Sequence, residues 1–292
     1  MPVAETPGDF LAEYVALPEG ITSFRVRMAP GTTGTLMLAE IYIFGQGDTP
    51  LWVQQWNPPH EDADLLLISA HPDDEILFMG GTIPYYAGEM GKKVQVAYVT
   101  RSRPYRRLEL LDGLWLCGVR NYPDIGFQRD TFSTSLKVMY QRWYKPTIYR
   151  IFSELYRKYR PEVVVTHDIQ GEYGHGAHKV SADASIQALT LAADPEYDAE
   201  SAQTFGTWDV PKLYLHLYGE NVVDMDWRKP LEAFDGRTAF DMAEAAFQCH
   251  TSQLETEYKV EDFGPYDNSL FGLYRSQVGQ DTDLNDFFEN IP

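Results

Sequence analysis

The chain has 292 residues, of which 44% are hydrophobic and 23% are charged. This composition is typical of a globular protein with one large domain, or with one domain and an appendage. The formal net charge of −19 disfavours nucleic acid as a partner, and it also disfavours electrostatic docking on anionic lipid. No run approaches the roughly 18 apolar residues that a membrane-spanning helix needs, so membrane insertion is not expected.

The first nine residues lack the basic start and the apolar stretch of a signal peptide. This favours a cytoplasmic protein, although a secreted or cell-envelope protein trimmed of its leader would read the same. The two cysteines, Cys117 and Cys249, have neither CxxC nor CxxxH spacing. A cysteine-based zinc site is therefore not expected, and two free thiols are commoner than a disulfide in a cytoplasmic chain.

Residues 1–60 differ in pattern from the rest of the chain. Apolar and polar residues alternate over 21–28, turn-forming residues follow at 30–34, and a second apolar segment covers 36–44. This pattern predicts a β-hairpin. Because two strands alone are marginally stable, the hairpin would be an appendage. We predict an N-terminal hairpin extension and connector over 1–60, and the main domain over 61–292.

From residue 64 onward, predicted strands alternate with predicted helices. This alternation predicts an α/β fold with a mostly parallel sheet and helices on both faces. The strands are predicted at 65–70, 94–99, 161–166 and 212–218, and the helices at 80–90, 106–116, 149–159, 178–191 and 238–248.

The sequence HPDDE at 71–75 directly follows the first strand of this domain. One imidazole and three carboxylates in five residues repel and desolvate one another unless a cation or a reaction needs them. A helix start with acidic residues in its first turn would explain any one of the carboxylates. It does not explain His71, nor the second cluster of histidines, GHGAH at 174–178.

Both clusters follow predicted strands, so they are expected at one edge of one sheet, where ligands of such sheets bind. Catalytic zinc commonly takes three protein ligands and leaves a position for water, and His71, Asp74 and His178 supply that set. Asp73 is the candidate general base. His175 is the candidate to stabilise the oxyanion or to protonate the leaving amine.

Alternative interpretations stay open at this point. Two histidines and one carboxylate also describe non-haem iron enzymes, although these usually use a β-barrel. Three further histidines, His167, His216 and His250, are interpreted as structural, because a lone histidine near a strand usually forms ordinary hydrogen bonds. The N-terminal β segment could instead make the chain a glycan-binding protein.

The segments AHPDDE at 70–75, GGT at 80–82 and GHGAH at 174–178 resemble the signatures of the LmbE-like / PIG-L family of de-N-acetylases. The resemblance covers about 64–253 and includes RRLE at 106–109. It implies a Rossmann-like fold and a zinc site. It also implies removal of acetyl groups from N-acetylglucosamine units of glycolipids, thiol-glycosides, chitin oligomers or antibiotics.

The resemblance carries residue roles with it. It implies zinc binding by His71, Asp74 and His178, a base role for Asp73 and an oxyanion role for His175. Arg106 is its weaker candidate for a substrate contact.

One departure concerns residues 176 and 177, where this chain has Gly and Ala and the family commonly has Pro and Asp. The missing aspartate supports the first histidine of the motif, and Asp168 or Glu172 are the candidates to replace it.

The predicted protein is a zinc-dependent hydrolase that removes acetyl from an N-acetylated amino sugar, such as a GlcNAc-type glycoside or glycolipid. Its expected partner is this sugar or glycoconjugate, and homo-oligomerisation is left open. Substrate choice is expected to lie in the loops 121–147 and 192–210.

Overall fold

The computed structural model describes residues 10–36, 38 and 40–292. The chain divides into two compact units, Met1–Trp56 and Asn57–Pro292. Of the described residues up to Trp56, none lies in a helix or a strand.

The hairpin predicted over 21–28 and 36–44 is therefore not confirmed. Met37 and Ala39, which belong to its second predicted strand, lie outside the described residues. A hairpin without a third strand gains few hydrogen bonds and little buried area, so alternation alone is weak evidence for it. The domain boundary at 60 and 61 stays a prediction.

The second unit contains eight strands. They are β1 Leu65–Ser69, β2 Val94–Tyr98, β3 Thr100–Arg101, β4 Gln128–Arg129, β5 Val163–Thr166, β6 Lys212–His216, β7 Val222–Asp224 and β8 Leu270–Ser276. Six of them form one sheet in the order β2-β1-β5-β6-β8-β7, and β3 pairs with β4.

Seven α-helices accompany the strands. They are α1 Asp74–Leu77, α2 Pro104–Leu116, α3 Leu136–Trp143, α4 Lys145–Tyr159, α5 Gly176–Leu191, α6 Ala199–Phe205 and α7 Ala239–Phe247. A π-helical turn covers Pro84–Glu89, and 3-10 turns cover Glu172–Gly174, Glu232–Phe234 and Thr251–Gln253. In the described part of the chain, no helix combines the length and the apolarity that a membrane crossing requires.

The central strands are parallel, which confirms the predicted fold class. Leu65 of β1 is in register with Val94 of β2 on one side and with Val163 of β5 on the other. Val163 is in turn level with Lys212 of β6. Strand β8 runs antiparallel to both β6 and β7. Of these three strands, β6 was predicted, whereas β7 and β8 were not.

Both faces of the sheet are covered, as the continuous apolar runs of its strands predict. All five residues of β1 are buried. Leu66 and Ile68 point to the face that packs on α3, α4 and α5. Because side chains alternate along a strand, Leu65 and Leu67 point to the opposite face. The helices α1, α2 and α7 form a second packed group.

The helix predicted over 80–90 is shorter than expected. Helical structure starts at Thr82 and continues as a π-helical turn over Pro84–Glu89, whereas Gly80 and Gly81 lie in a turn before it. A Cβ added at Gly81 would lie 2.2 Å from the Trp227 ring, so no larger residue fits there without rearrangement. Glycine here serves close packing.

The sheet places two strand ends side by side. From β1 the chain goes to β2 on one side, whereas β5 and β6 lie on the other side. This reversal of strand order opens a crevice beyond the carboxyl ends of β1 and β5, which is where such sheets bind ligands. Residues 70–75 follow β1 and residues 167–178 follow β5.

Candidate metal and catalytic site

Three side chains predicted as metal ligands meet in this crevice. His71 and Asp74 come from the end of β1 and the start of α1, and His178 comes from the first turn of α5. The Oδ2 of Asp74 lies 2.8 Å from Nδ1 of His71 and 3.2 Å from Nε2 of His178. These two ring nitrogens are 3.3 Å apart. His71 and His178, which are 107 positions apart in sequence, thus form one small triangle of donor atoms with Asp74.

The triangle has the right size for a metal ion. Two ligands about 2.05 Å from a tetrahedral zinc ion are separated by about 3.3 Å. The observed separations of 2.8, 3.2 and 3.3 Å agree with this spacing. All three side chains are buried. The donors therefore fit a small divalent cation, and their role as ligands stays a prediction.

The other ring nitrogens show which atoms are free to bind a metal. The Nδ1 of His178 lies 2.7 Å from Oε2 of Glu172, and an ionised carboxylate only accepts hydrogen bonds. The proton of His178 is therefore on Nδ1, which leaves the lone pair of Nε2 for a cation. In His71 it is Nδ1 that faces the triangle, whereas its Nε2 lies 3.6 Å from Oδ1 of Asp130.

His175 lies beside the triangle but is arranged differently. One of its ring nitrogens lies within 4.8 Å of donor atoms of His71 and His178. Its Nδ1 accepts the backbone N–H of Ala177 at 3.1 Å. Burial, together with the charges of His71 and His178, lowers the pKa of His175 to about 3. The ring is therefore neutral with its proton on Nε2, which makes this nitrogen a hydrogen-bond donor. The oxyanion role of His175 stays a prediction.

Asp73 is a second buried carboxylate next to the triangle. Its backbone has a φ of 114°, a left-handed value that is rare outside glycine. Its N–H donates to Oε2 of Glu75 at 3.0 Å, which holds this backbone in place. Burial and the negative charge of Asp74 raise the pKa of Asp73 well above its usual range. A carboxylate with a raised pKa suits a general base.

Arg106 extends from α2 to the same carboxylate. Its Nη2 donates to Oδ2 of Asp73 at 2.8 Å and also to the carbonyl of Pro72. The side chain of Arg106 is 14% exposed. The structure therefore brings Arg106 to Asp73, and its role as a substrate contact stays a prediction.

The negative charge of Asp74 and the positive charges of the protonated His71 and His178 stabilise one another. Burial alone would lower the pKa of both imidazoles, but the negative charge of Asp74 raises that of His71 to about 10 and that of His178 to about 9. Burial would also raise the pKa of Asp74, yet the same two imidazoles hold it well below its usual range. Without a metal, protons thus occupy the nitrogens that face Asp74.

Two histidines interpreted as structural from sequence belong to the surroundings of the site. His167 Nδ1 lies 2.8 Å from Oε2 of Glu172, and His216 Nδ1 lies 2.7 Å from Oε1 of the same residue. His216 was hidden from sequence analysis because it lies 44 residues beyond Glu172. Its position at the end of β6, two strands away from β1, was the available signal.

The structure answers which group replaces the aspartate that is missing near His175. Glu172 accepts from His178, and the backbone N–H of Asp168 donates to Glu172 at 3.2 Å. The Nδ1 of His175, which such a carboxylate would hold, instead accepts the N–H of Ala177. A backbone group therefore takes the place of the expected side chain.

Aromatic rings line the crevice. The Tyr173 ring centre lies 5.5 Å from that of His175 and 5.2 Å from that of His178. Phe132, which is 65% exposed, approaches His175 edge-on with the ring centres 5.1 Å apart. Phe132 thus presents an apolar surface at the rim of the crevice.

Comparison with known families gives one match in this region. Residues 66–189 match the family model described as PIG-L: GlcNAc-PI de-N-acetylase. The matched segment includes every residue that we predicted for the metal, base and oxyanion roles.

Several named proteins are similar to this chain. The 1D-myo-inositol 2-acetamido-2-deoxy-alpha-D-glucopyranoside deacetylase 2 of Saccharopolyspora erythraea is 32% identical over 255 residues, covering 77% of this chain and 87% of the relative. The corresponding deacetylase 1 of Frankia casuarinae is 29% identical over 201 residues, covering 57% and 64%. Among solved structures, the N,N'-diacetylchitobiose deacetylase of Pyrococcus horikoshii has a TM-score of 0.48 and 21% identity, with 68% of this chain and 74% of that chain covered.

Proposed function

Because this chain belongs to the PIG-L (GlcNAc-PI de-N-acetylase) family, whose similar members named above are amide-hydrolysing deacetylases, we propose that it is a zinc-dependent de-N-acetylase of an N-acetylated amino sugar. The observation that carries the proposal is the triangle of His71, Asp74 and His178 with the separate carboxylate of Asp73 beside it. Both parts are needed for hydrolysis, because one set holds a cation and the other moves a proton.

The proposed metal site uses Nδ1 of His71, Oδ2 of Asp74 and Nε2 of His178. When bound there, zinc would lower the pKa of a water molecule towards neutrality and polarise the substrate carbonyl. Three protein ligands leave a coordination position open, as in other catalytic zinc sites. Amide hydrolysis requires a Lewis acid and no change of oxidation state, and redox-inactive zinc would meet this requirement.

Asp73 would act as the general base. Its carboxylate takes a proton from the attacking water while the water oxygen forms a bond to the acetyl carbon. Arg106 holds the carboxylate through the 2.8 Å hydrogen bond to Oδ2. When the C–N bond breaks, the same proton passes from Asp73 to the sugar nitrogen. The products are the free amine and acetic acid, which ionises to acetate.

His175 would stabilise the oxyanion that develops on the acetyl oxygen. Its neutral ring carries a proton on Nε2, since Nδ1 accepts from Ala177. A fixed N–H donor is already oriented before the reaction and does not need to gain a proton first. Removing such a donor typically costs about 10²–10³-fold in kcat.

The relatives support an N-acetylglucosaminide as the substrate class. The relative of Saccharopolyspora erythraea is named for a 2-acetamido-2-deoxy-glucopyranoside of inositol. We propose the same acetamido sugar for this chain. The exposed ring of Phe132 offers an apolar surface on which a sugar face or its aglycone could stack.

The test is a panel of N-acetylated sugars, inositol glycosides and chitin oligomers, incubated with the zinc-loaded protein and assayed for free amine. We expect amine release from at least one acetamido sugar and none with Asp73→Asn under the same conditions. If no member of the panel is cleaved and no zinc is retained, the proposed function is wrong.

A further inference from the structure

Glu172 lies at the centre of a buried cluster of imidazoles behind the site. Its Oε2 is 2.7 Å from Nδ1 of His178 and 2.8 Å from Nδ1 of His167, and its Oε1 is 2.7 Å from Nδ1 of His216. The side chains of all four residues are completely buried. Burying a carboxylate to this extent is costly unless its partners compensate the charge and form hydrogen bonds to it.

The partners of His167 fix the direction of its hydrogen bond. Its Nε2 lies 2.9 Å from the backbone nitrogen of Ala70, whose N–H can only donate. This nitrogen therefore accepts, and the ring proton must be on Nδ1, where it is donated to Glu172. The same bond to Ala70 occupies the lone pair of Nε2, so His167 is not available as a metal ligand, although it lies near Asp74.

His216 holds the opposite side of Glu172. Its Nε2 lies 3.0 Å from the carbonyl oxygen of Asp267. This oxygen and the carboxylate of Glu172 can both only accept, so both ring nitrogens of His216 donate. Its Nδ1 faces Oε1 of Glu172, which also accepts the backbone N–H of Asp168 at 3.2 Å. His216 thus links β6 and the loop before β8 to one carboxylate oxygen, and His167 links β5 to the other.

The backbone around Glu172 is shaped to point this side chain inward. Gly171 has a φ of 67°, and Tyr173 and Gly174 have φ values of 44° and 77°. A Cβ at Gly171 would lie 2.4 Å from the carbonyl oxygen of His175, so only glycine fits there. Glycine adopts such φ values without steric cost, so the strain lies at Tyr173, and backbone strain of this kind collects at functional positions.

We propose that Glu172 is a positioning residue for the metal centre: it accepts the Nδ1–H of His178 and so directs the Nε2 lone pair at the metal, while His167 and His216 hold the carboxylate still. This inference rests on the proposed function, since it assigns the support of one of its metal ligands. Glu172 does not touch the reacting atoms and is not a catalytic residue. A carboxylate that accepts from a ligating histidine raises its basicity and fixes its ring orientation.

The proposal distinguishes Glu172 from other buried carboxylates of the chain. Glu109 is a matched control, because its buried carboxylate is likewise held by hydrogen bonds, in this case from the Thr251 hydroxyl and from the backbone and hydroxyl of Ser252. None of these partners is a proposed ligand. Glu172→Gln and Glu109→Gln therefore make the same chemical change, one beside a ligand and the other away from it.

The first experiment measures the zinc affinity of the full-length variants by competition with a chelating dye. We expect Glu172→Gln to bind zinc about 10–100-fold more weakly than the wild type, and Glu109→Gln to bind it like the wild type. His216→Gln should weaken zinc binding less, and it should add little in the Glu172→Gln background, because its effect passes through Glu172. Equal zinc affinity of wild type and Glu172→Gln would overturn the proposal.

A second measurement decides the question if Glu172→Gln does not fold. Imidazole ¹H–¹⁵N correlation spectra of the wild-type protein report which ring nitrogen of each histidine carries the proton. In the zinc-loaded protein we expect His178 to carry it on Nδ1. A proton on Nε2 of His178, or a zinc bond to Nδ1, would overturn the assignment of Glu172.

These outcomes also separate this inference from the proposed function. If zinc binds as expected but no acetamido sugar is cleaved, the proposed function fails and the role of Glu172 stands. If sugars are cleaved while Glu172→Gln has wild-type zinc affinity, the role of Glu172 fails alone.

Discussion

The guanidinium of Arg106 lies 2.8 Å from Oδ2 of Asp73, so α2 holds the carboxylate that we assign as the base. The two residues are 33 positions apart, and Arg106 also donates to the carbonyl of Pro72, so α2 is linked to the segment that follows β1. The ion pair has two effects on catalysis. It orients Asp73, and its positive charge opposes the rise in the pKa of Asp73 that burial and Asp74 cause.

Replacing Arg106 should therefore change the pH dependence of the reaction. In Arg106→Met the pKa of Asp73 rises further, because a charge that favours the ionised form is lost. The base must be ionised, so the acidic limb of kcat/KM should move to higher pH. We also expect activity at neutral pH to fall by at least about tenfold. The measurement is a pH–rate profile of both proteins. An unchanged acidic limb with lower activity would show that Arg106 contacts substrate only.

His175 and His178 should differ in their effect on metal content. His175→Phe should keep zinc and lose about 10²–10³-fold in kcat, because it removes a hydrogen-bond donor to the oxyanion. His178→Ala should lose both zinc and activity. Metal analysis after dialysis, run beside single-turnover assays, checks both variants. Loss of zinc from His175→Phe would make His175 a ligand and contradict the position of its proton.

Zinc binding should depend on pH with a defined sign. The pKa values of about 10 for His71 and about 9 for His178 mean that both rings are protonated at pH 7 in the metal-free protein. Each must lose its proton to bind a metal, so binding releases protons and the affinity rises with pH. Below about pH 9 we expect a gain of at least roughly tenfold per pH unit. Calorimetry in buffers of different ionisation enthalpy counts the released protons, and a count near zero would contradict the triangle.

The stability of the metal-free protein should fall as the pH rises, whereas the zinc affinity rises. A histidine whose pKa is raised on folding stabilises the protein fully below its unfolded value of about 6.5. That stabilisation disappears as the pH rises through the folded values of about 9 and 10. Thermal unfolding of the chelated protein should therefore occur at lower temperature at pH 10 than at pH 6. In His71→Asn this difference should shrink.

Packing at Gly81 gives a prediction that is independent of chemistry. An added Cβ would lie 2.2 Å from the ring of Trp227, which is itself buried. Gly81→Ala should lower the free energy of unfolding by about 1–3 kcal/mol, because the ring must shift. Denaturant unfolding compares it with Gly219→Ala, where a Cβ meets nothing within 4 Å. Equal stability of the two variants would contradict this packing.

Sequence patterns predicted the central sheet because its strands are continuous apolar runs. The carboxyl ends of β1 and β5 were predicted to lie at one edge, and the structure brings His71, Asp74 and His178 together there. Strand β8 escaped prediction because Gly272 and polar residues interrupt its apolar pattern. The N-terminal hairpin was predicted from alternation alone and is not confirmed.

The surroundings of the site were harder to predict than its centre. His71 and Asp74 are only three residues apart, so a short sequence motif contains both and allows them to be predicted together. The contact of Glu172 with His216 depends on the order of β5 and β6 in the sheet, which no local pattern states. Likewise, the hydrogen bond to His175 comes from the backbone N–H of Ala177. Almost every residue has such a group, so the sequence does not indicate this contact.

In the proposed reaction, a metal held by His71, Asp74 and His178 acts together with a separate base, Asp73, to hydrolyse an acetamido sugar. The most direct test measures zinc stoichiometry and amine release on the same preparations of wild type and Asp73→Asn. We predict one zinc per chain in both proteins, with amine release from the wild type and a loss of at least about 10²-fold in the variant. Loss of zinc from Asp73→Asn, or undiminished amine release by it, would contradict this division of roles.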